Sequence, residues 1–307
     1  MVVNVNPFFV TGRIPAAYFC DRVVESKVLS QALLSQMNVV VTSPRRMGKT
    51  ALVDFVFQQE VIQKDYFTID VDILHTTCFK EFIYALGTAA YDKIASRSDK
   101  MKRLFIATLR SLSASFGYDP IQNTPTFDIK LGDITTPDYT LREIFNFMEQ
   151  ADKRCLVVID EFQQITKYPE KNIEAVLRSY IQKMSNANFV FAGSQRTVLE
   201  EMFLSSRRPF FQSAKLMQLD AIELSVYQDF VVEHFREGGK DINPEAVEVA
   251  YRSFRGVTLY MQRVMKDAYA TTPQGATCDE RLVEQLIDDF VAENDYRIRG
   301  LLAYISE

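Results

Sequence analysis

Two short segments concentrate the side chains that could do chemistry. The first, Ser43-Pro44-Arg45-Arg46-Met47-Gly48-Lys49-Thr50, matches the pattern G-x-x-x-x-G-K-S/T except that Ser43 stands at the first glycine. Gripping a phosphate requires main-chain N–H groups turned inward as an anion nest at the positive end of a helix. Gly48 permits the tight backbone, Lys49 would reach the β- and γ-phosphate oxygens, and the Thr50 hydroxyl would ligate Mg²⁺. The candidate nucleotide-binding stretch is therefore the whole loop with Ala51 behind it. A Gly-Lys-Thr turn can also simply cap a helix. Here it follows the β-branched run Asn38-Val39-Val40-Val41-Thr42 and opens an apolar periodic stretch over 51–61, the context the phosphate motif requires. No G-x-G-x-x-G occurs, which disfavours a dinucleotide loop.

The second segment is Cys155-Leu156-Val157-Val158-Ile159-Asp160-Glu161. Five apolar residues drive a strand into a sheet and leave two carboxylates at its C-terminal end, where the ligands of α/β proteins sit. Asp160 would hold Mg²⁺, and Glu161 could polarise an attacking water. An acidic pair that merely ends a strand in solvent is the alternative, and the company of Lys49 and Thr50 weighs against it. On the next run, Phe189-Val190-Phe191-Ala192-Gly193-Ser194-Gln195, Ser194 or Gln195 could sense a γ-phosphate, or Ser194 could cap the helix that follows. Glu161, Lys49, Ser194 and Gln195 are thus the candidate catalytic residues, and Thr50 and Asp160 the candidate metal ligands. Arg207 and Arg208 could supply a finger to a neighbouring subunit's phosphate or be solvated loop charges.

These residues need a parallel sheet to hold them. Strands are expected at 38–42, 66–73, 155–159, 188–192 and 216–219, with helices between them, clearest at 22–36 and 172–186. The interval 74–150 reads as a helical insertion, with helices at 79–95, 98–113 and 140–152 and a loop near 117–138. After about 222 the strand signal vanishes and helices are expected at 225–237, 244–254, 257–270 and 279–304. The division predicted is an α/β nucleotide-binding domain over 1–222 and an all-helical domain over 223–307.

Composition bounds the function. The chain has 307 residues, 35 Lys+Arg against 40 Asp+Glu, and 47% hydrophobic residues, as in ordinary globular proteins. A formal charge of −5 argues against a surface that grips nucleic acid everywhere. Cys20, Cys78, Cys155 and Cys278 are scattered and only His75 and His234 occur, so zinc, disulfide and Cys–His or Ser–His schemes have little support. There is no signal-peptide pattern and no apolar run of membrane-spanning length, so a cytoplasmic protein with no membrane partner is expected.

The phosphate loop, the Val-Val-Ile-Asp-Glu-Phe-Gln segment ending at Gln163 and the Phe-Ala-Gly-Ser turn resemble the AAA+-related P-loop ATPases of the archaeal-type ATPase family, neighbours of the STAND and origin-initiator ATPases. Asn6-Pro7-Phe8 and the F-x-x-R-x-x-E spacing of Phe19, Arg22 and Glu25 are similar to the family's N-terminal segment, which packs beside the adenine. The resemblance covers about 6–270. It implies a five-stranded parallel sheet in the order 5-1-4-3-2 followed by a helical lid, with ATP or ADP and Mg²⁺ as cofactors. Two departures stand out. Ser213 occupies the place of an arginine common before the fifth strand, which puts the finger in doubt. In Arg255-Gly256-Val257-Thr258-Leu259, similar to a G-x-P lid segment, Thr258 replaces proline and Leu259 stands where many lids carry arginine. Lid closure would then rest on Gly256 and Thr258 near the adenine. Members commonly carry a winged-helix domain after the lid; none is read before Glu307.

Three functions follow. The leading one is a switch that binds ATP between the α/β domain and the lid and hydrolyses it slowly. The second is a DNA-associated ATPase of the initiator or transposition-helper kind, favoured by the basic stretch Arg97-Ser98-Asp99-Lys100-Met101-Lys102-Arg103 and Arg110. The third holds nucleotide without turning it over, which Glu161 speaks against. A protein partner is expected; its identity and the oligomeric state are not legible.

Overall fold

The computed structural model describes residues 5–119, 124–127 and 130–305. Five parallel strands form its main sheet: β1 (Val39–Thr42), β2 (Tyr66–Asp72), β3 (Arg154–Asp160), β4 (Ala187–Gly193) and β5 (Lys215–Gln218). They lie in the order β2-β3-β4-β1-β5, which is the expected 5-1-4-3-2 read from the other edge. The central strands are buried on both faces: all of β1, all of β4, and Cys155 to Ile159 of β3. That burial explains why their sequences run apolar without alternation.

The helices are α1 (Val23–Leu34), α2 (Lys49–Phe57), α3 (Glu60–Asp65), α4 (Phe79–Lys93), α5 (Asp99–Thr108), α6 (Pro137–Glu149), α7 (Ile173–Ile181), α8 (Arg196–Leu204), α9 (Leu224–Glu237), α10 (Pro244–Phe254), α11 (Thr258–Thr271) and α12 (Glu280–Ile305). Among the described residues, none is long and apolar enough to cross a membrane.

The chain forms two compact units. One comprises residues 24–44 and 56–219 and holds the sheet; the other comprises 1–23, 45–55 and 220–307. The core of the sheet unit is rich in aromatics, with Phe162, Phe191, Phe203 and Phe210 in mutual contact at the end of the β3 and β4 strands. Each such ring taken from water contributes roughly 1.5–3 kcal/mol before the entropy of ordering is charged against it. In the second unit, α9 to α11 bury Tyr227, Val231, Phe235, Met261 and Met265. Phe8 of the N-terminal arm completes that core, packing on Phe230, Phe235 and Tyr269.

Several expected boundaries shift. The stretch 51–61 is two helices, because Gln59 is extended (φ −60°, ψ 138°) and its carbonyl receives the amides of Ile62 and Gln63. The helix expected over 98–113 stops at Thr108, and the next main-chain amides, Arg110 and Ser111, donate to the carboxylate of Glu143. Helix α7 ends at Ile181, short of 186, and Glu149 receives the amides of Ser185 and Asn186. The insertion is not wholly helical: Phe116–Asp119 pairs antiparallel with Thr124–Phe127 inside the expected loop. Beyond 222 a two-residue parallel ladder joins Asp241–Ile242 to Thr277–Cys278, too short to leave a period in the sequence.

Candidate functional site

In the sheet unit, β1 ends at Thr42, opposite Gly193 of β4 and Gln218 of β5. Ser43 follows, buried, its hydroxyl donating to the Pro44 carbonyl at 3.0 Å. The small side chain at the first-glycine position therefore sits in the turn and spends its proton on the neighbouring main chain.

From Arg45 to Ala51 the loop belongs to the other unit, with Phe19, Arg22, Gly256 and Thr258. Arg46 (φ 71°) and Gly48 (φ 86°) are both left-handed, and Lys49 opens α2. Alternation of this kind turns successive N–H groups to one side, the geometry of an anion nest at a helix N-terminus. The carbonyls of the loop are engaged elsewhere. The amide of Leu259, in the first turn of α11, donates to the Arg46 carbonyl at 3.1 Å, and Arg22 Nη2 donates to the Met47 carbonyl at 3.3 Å. Gly48 receives the amide of Leu52 at 2.9 Å.

Arg22 is buried, left-handed (φ 62°), and also donates to the Asp220 carbonyl at 2.7 Å. One guanidinium thus joins the N-terminal arm, the phosphate loop and the chain leaving β5. Phe19 stacks on Phe55 of α2, centroids 4.3 Å apart and planes within 9°. Gly256 is left-handed (φ 72°) and approaches so closely that a Cβ there would lie 2.6 Å from that of Ala221. Thr258 begins α11, and Arg46 lies over the ring of Tyr260 with its guanidinium carbon 4.9 Å from the centroid.

The acidic pair ends β3. Asp160 pairs in register with Asp72, and its Oδ1 receives the Glu161 amide at 2.9 Å. Glu161 is left-handed (φ 56°, ψ 40°), an uncommon conformation for a non-glycine residue that re-aims its side chain. Its Oε2 accepts hydrogen bonds from Ser194 Oγ at 2.9 Å and from Gln163 Nε2. Ser194 therefore meets the acidic pair and does not cap α8; Gln195 stands at that N-cap, without a side-chain cap bond.

Gln163 was not singled out by sequence reasoning, although it stands in the quoted Asp-Glu-Phe-Gln segment. Its place two residues past Glu161 is all the sequence shows; its burial and its bond to Glu161 come only from the fold. Arg208 is half-buried and paired with Glu174 at 2.8 Å, and Arg207 is exposed.

Among the described residues no cluster of three or more His, Cys, Asp or Glu side chains could hold a metal. Mg²⁺ usually takes one or two protein oxygens and completes its shell with phosphate and water. The Thr50 hydroxyl and the Asp160 carboxylate are each a hard oxygen donor of that kind.

A family model described as an ATPase domain predominantly from Archaea matches residues 19–264. The chain belongs to this family. It is an ATPase of that family. Among solved structures, this ATPase is similar to the Walker-type ATPase of Pyrococcus abyssi at TM-score 0.66 and 14% identity, over 97% of this chain and 79% of that one. Similarity extends to the ORC2 protein of Aeropyrum pernix, solved with ADPNP and ADP (TM-score 0.59, 15% identity, 92% and 71% covered). The ORC1 protein of the same organism, solved with DNA, gives TM-score 0.57 at 13% identity, with 89% and 66% covered. At these identities the likeness is one of fold. No curated protein matches the chain.

The ATPase carries one further polar feature, in the insertion. Lys100 and Arg103 are exposed on one face of α5, Arg110 is exposed beyond the helix's end, and Lys102 is half-buried. Beside them, between α5 and α6, runs a groove of about 590 Å³ lined by Leu104, Ala107, Arg110, Tyr139, Arg142 and Asn146. Arg142 lies over the Tyr139 ring at 4.6 Å.

Proposed function

We propose that this ATPase binds ATP with Mg²⁺ and hydrolyses it slowly to ADP and phosphate, the change of nucleotide acting as a conformational switch. The observation that carries the reading is the main chain of the loop: Arg46 and Gly48 left-handed, directly before Lys49 and the helix it opens. In this reading the loop amides cradle the phosphates and Lys49 draws negative charge from the β- and γ-oxygens. Thr50 and Asp160 would hold Mg²⁺, which supplies charge neutralisation between the phosphates. Glu161 accepts a proton from the attacking water as its oxygen approaches the γ-phosphorus, while Ser194 and Gln195 stand at the end of the adjacent strand to orient the reacting groups. Residues 223–307 act as the lid, with Phe19, Arg22, Gly256 and Thr258 nearest the base. A cytoplasmic location belongs to the same proposal.

The test is a pair of variants. Glu161→Gln should keep ATP affinity and all but abolish phosphate release, leaving only a trace of turnover; wild-type release from this variant would remove the assigned base. Lys49→Ala should weaken ATP binding, and an unchanged dissociation constant would contradict the loop assignment.

A second reading, contact with nucleic acid, is supported by the exposed Lys100, Arg103 and Arg110 and by the adjoining groove, which Arg110 and Arg142 line together with Glu143, in a chain of net charge −5. Backbone phosphates would neutralise Lys100, Arg103 and Arg110, and a base would stack on the Arg142–Tyr139 pair. Fluorescence anisotropy of a labelled oligothymidylate should show salt-dependent binding that Arg110→Glu/Arg142→Glu removes. No binding at low salt would end this reading.

A further inference from the structure

We infer that Gln163 is a positioning residue for ATP hydrolysis, holding the Glu161 carboxylate in its working orientation. The inference rests on the proposed role of Glu161 and adds a residue to it. Gln163 is 2% exposed, on the short 3-10 helix Phe162–Lys167 that follows Glu161. Its neighbours in that helix fix its direction. Phe162 and Ile165 are buried in the aromatic core, Gln164 Nε2 donates to the Thr76 carbonyl at 3.0 Å, and the Thr166 hydroxyl donates to the Gln163 carbonyl at 2.8 Å. The Gln163 amide is therefore delivered on a rigid element to Glu161 Oε2, the same oxygen that receives Ser194.

The amide lies against the last residue of β4. A Cβ on Gly193 would stand 2.0 Å from Gln163 Oε1, so only glycine leaves the room this side chain occupies. Gln163 Oε1 itself is buried with no hydrogen-bond partner. Leaving a buried amide oxygen unpaired costs about 1–3 kcal/mol. A purely structural glutamine would be better replaced by an apolar residue of the same length. What the amide does accomplish is donation to one carboxylate oxygen. With Gln163 and Ser194 both donating to Oε2, rotation of the carboxylate about its terminal bond is opposed from two elements, the 3-10 helix and the end of β4. A general base works only when its lone pair meets the proton it abstracts, so fixing that rotation is a catalytic advantage even though Gln163 never touches the substrate.

Gln163→Met keeps the length of the side chain and removes the donor. We expect kcat for ATP to fall roughly ten- to a hundredfold with KM and ATP affinity unchanged. In a Glu161→Gln background the same change should produce no further loss, because the group it positions is already gone. Gly193→Ala should lower kcat by displacing the amide, although its Cβ also meets Leu199 Cδ1 at 2.7 Å; in a Gln163→Ala background only the Leu199 part of that loss should remain. The inference is overturned if Gln163→Met leaves kcat unchanged, or lowers ATP affinity in step with kcat, or lowers residual turnover equally with Glu161 present or absent. If Glu161→Gln itself hydrolyses ATP like the wild type, the reading of the base fails instead. Should Gln163→Met not fold, Gly193→Ala and Gln163→Ala carry the same comparison.

Discussion

Arg22 donates to the carbonyl of Met47, so the phosphate loop is hung from a buried guanidinium on the N-terminal arm. The same group reaches the Asp220 carbonyl, and each of these oxygens would lose its charged donor if the side chain were shortened. Arg22→Met should lower stability by about 1–3 kcal/mol and weaken ATP binding by roughly tenfold. Urea unfolding and calorimetric titration with ATP measure the two. Wild-type affinity in a folded Arg22→Met protein would deny the guanidinium any role in shaping the loop.

Gly256 combines a left-handed backbone with a close approach to Ala221. Gly256→Ala therefore meets both a conformational penalty and a steric one, and should cost about 1–3 kcal/mol by thermal or urea unfolding. Gly48, equally left-handed, has nothing within 4 Å of the position its Cβ would take, so Gly48→Ala carries only the backbone strain. The stability loss at 256 should exceed that at 48; the reverse order would mean that the turn after α10 relaxes freely.

Burial pushes three thiols far above their usual range, Cys20 and Cys155 to about 12 and Cys278 to about 11. The thiolate is the reactive form, so these three should be silent to a disulfide reagent at pH 8 in the folded protein. Cys78 is only partly buried and should react alone. Unfolding in guanidinium should release all four. Rapid modification of Cys155 in the native state would contradict its place in the sheet core.

Glu149 offers a pH test. Burial raises its pKa, but hydrogen bonds from the Ser185 hydroxyl and from the amides of Asn186 and Ser185, with the charge of Arg154, outweigh that and bring it below 4.5. A carboxylate depressed on folding stabilises the folded state above its unfolded pKa and loses that contribution as pH falls through the folded value. Glu149→Gln should thus be less stable than wild type at neutral pH, with the gap closing below pH 4.5. A gap that persists unchanged at pH 3 would show that the carboxylate's charge is not what holds the amides of Ser185 and Asn186.

Much of the scaffold was legible because it depends on burial alone. Cys155 to Ile159 and Phe189 to Ala192 are apolar throughout, as strands covered on both faces must be, and their C-terminal polar residues mark the working edge. The loop was legible because few sequences place Gly-Lys-Thr between a strand and a helix. Partnerships across the chain were not. Glu143 and Glu149 end helical stretches by capturing amides from segments 32 to 37 residues away in sequence, and no local period encodes that. The tie between Gln163 and Glu161 was equally hidden, since it requires Gly193 to vacate space on another strand.

Phe8 has a consequence for biogenesis. Its aromatic partners, from Phe230 to Tyr269, leave the ribosome more than two hundred residues after it does. The five strands of the main sheet, by contrast, are synthesised by Gln218, so that sheet can close during translation. The arm must then wait, with an apolar ring unsheltered, until the last third of the polypeptide emerges. A nascent chain stalled near residue 222 would present that ring to chaperones, whereas the finished molecule hides it.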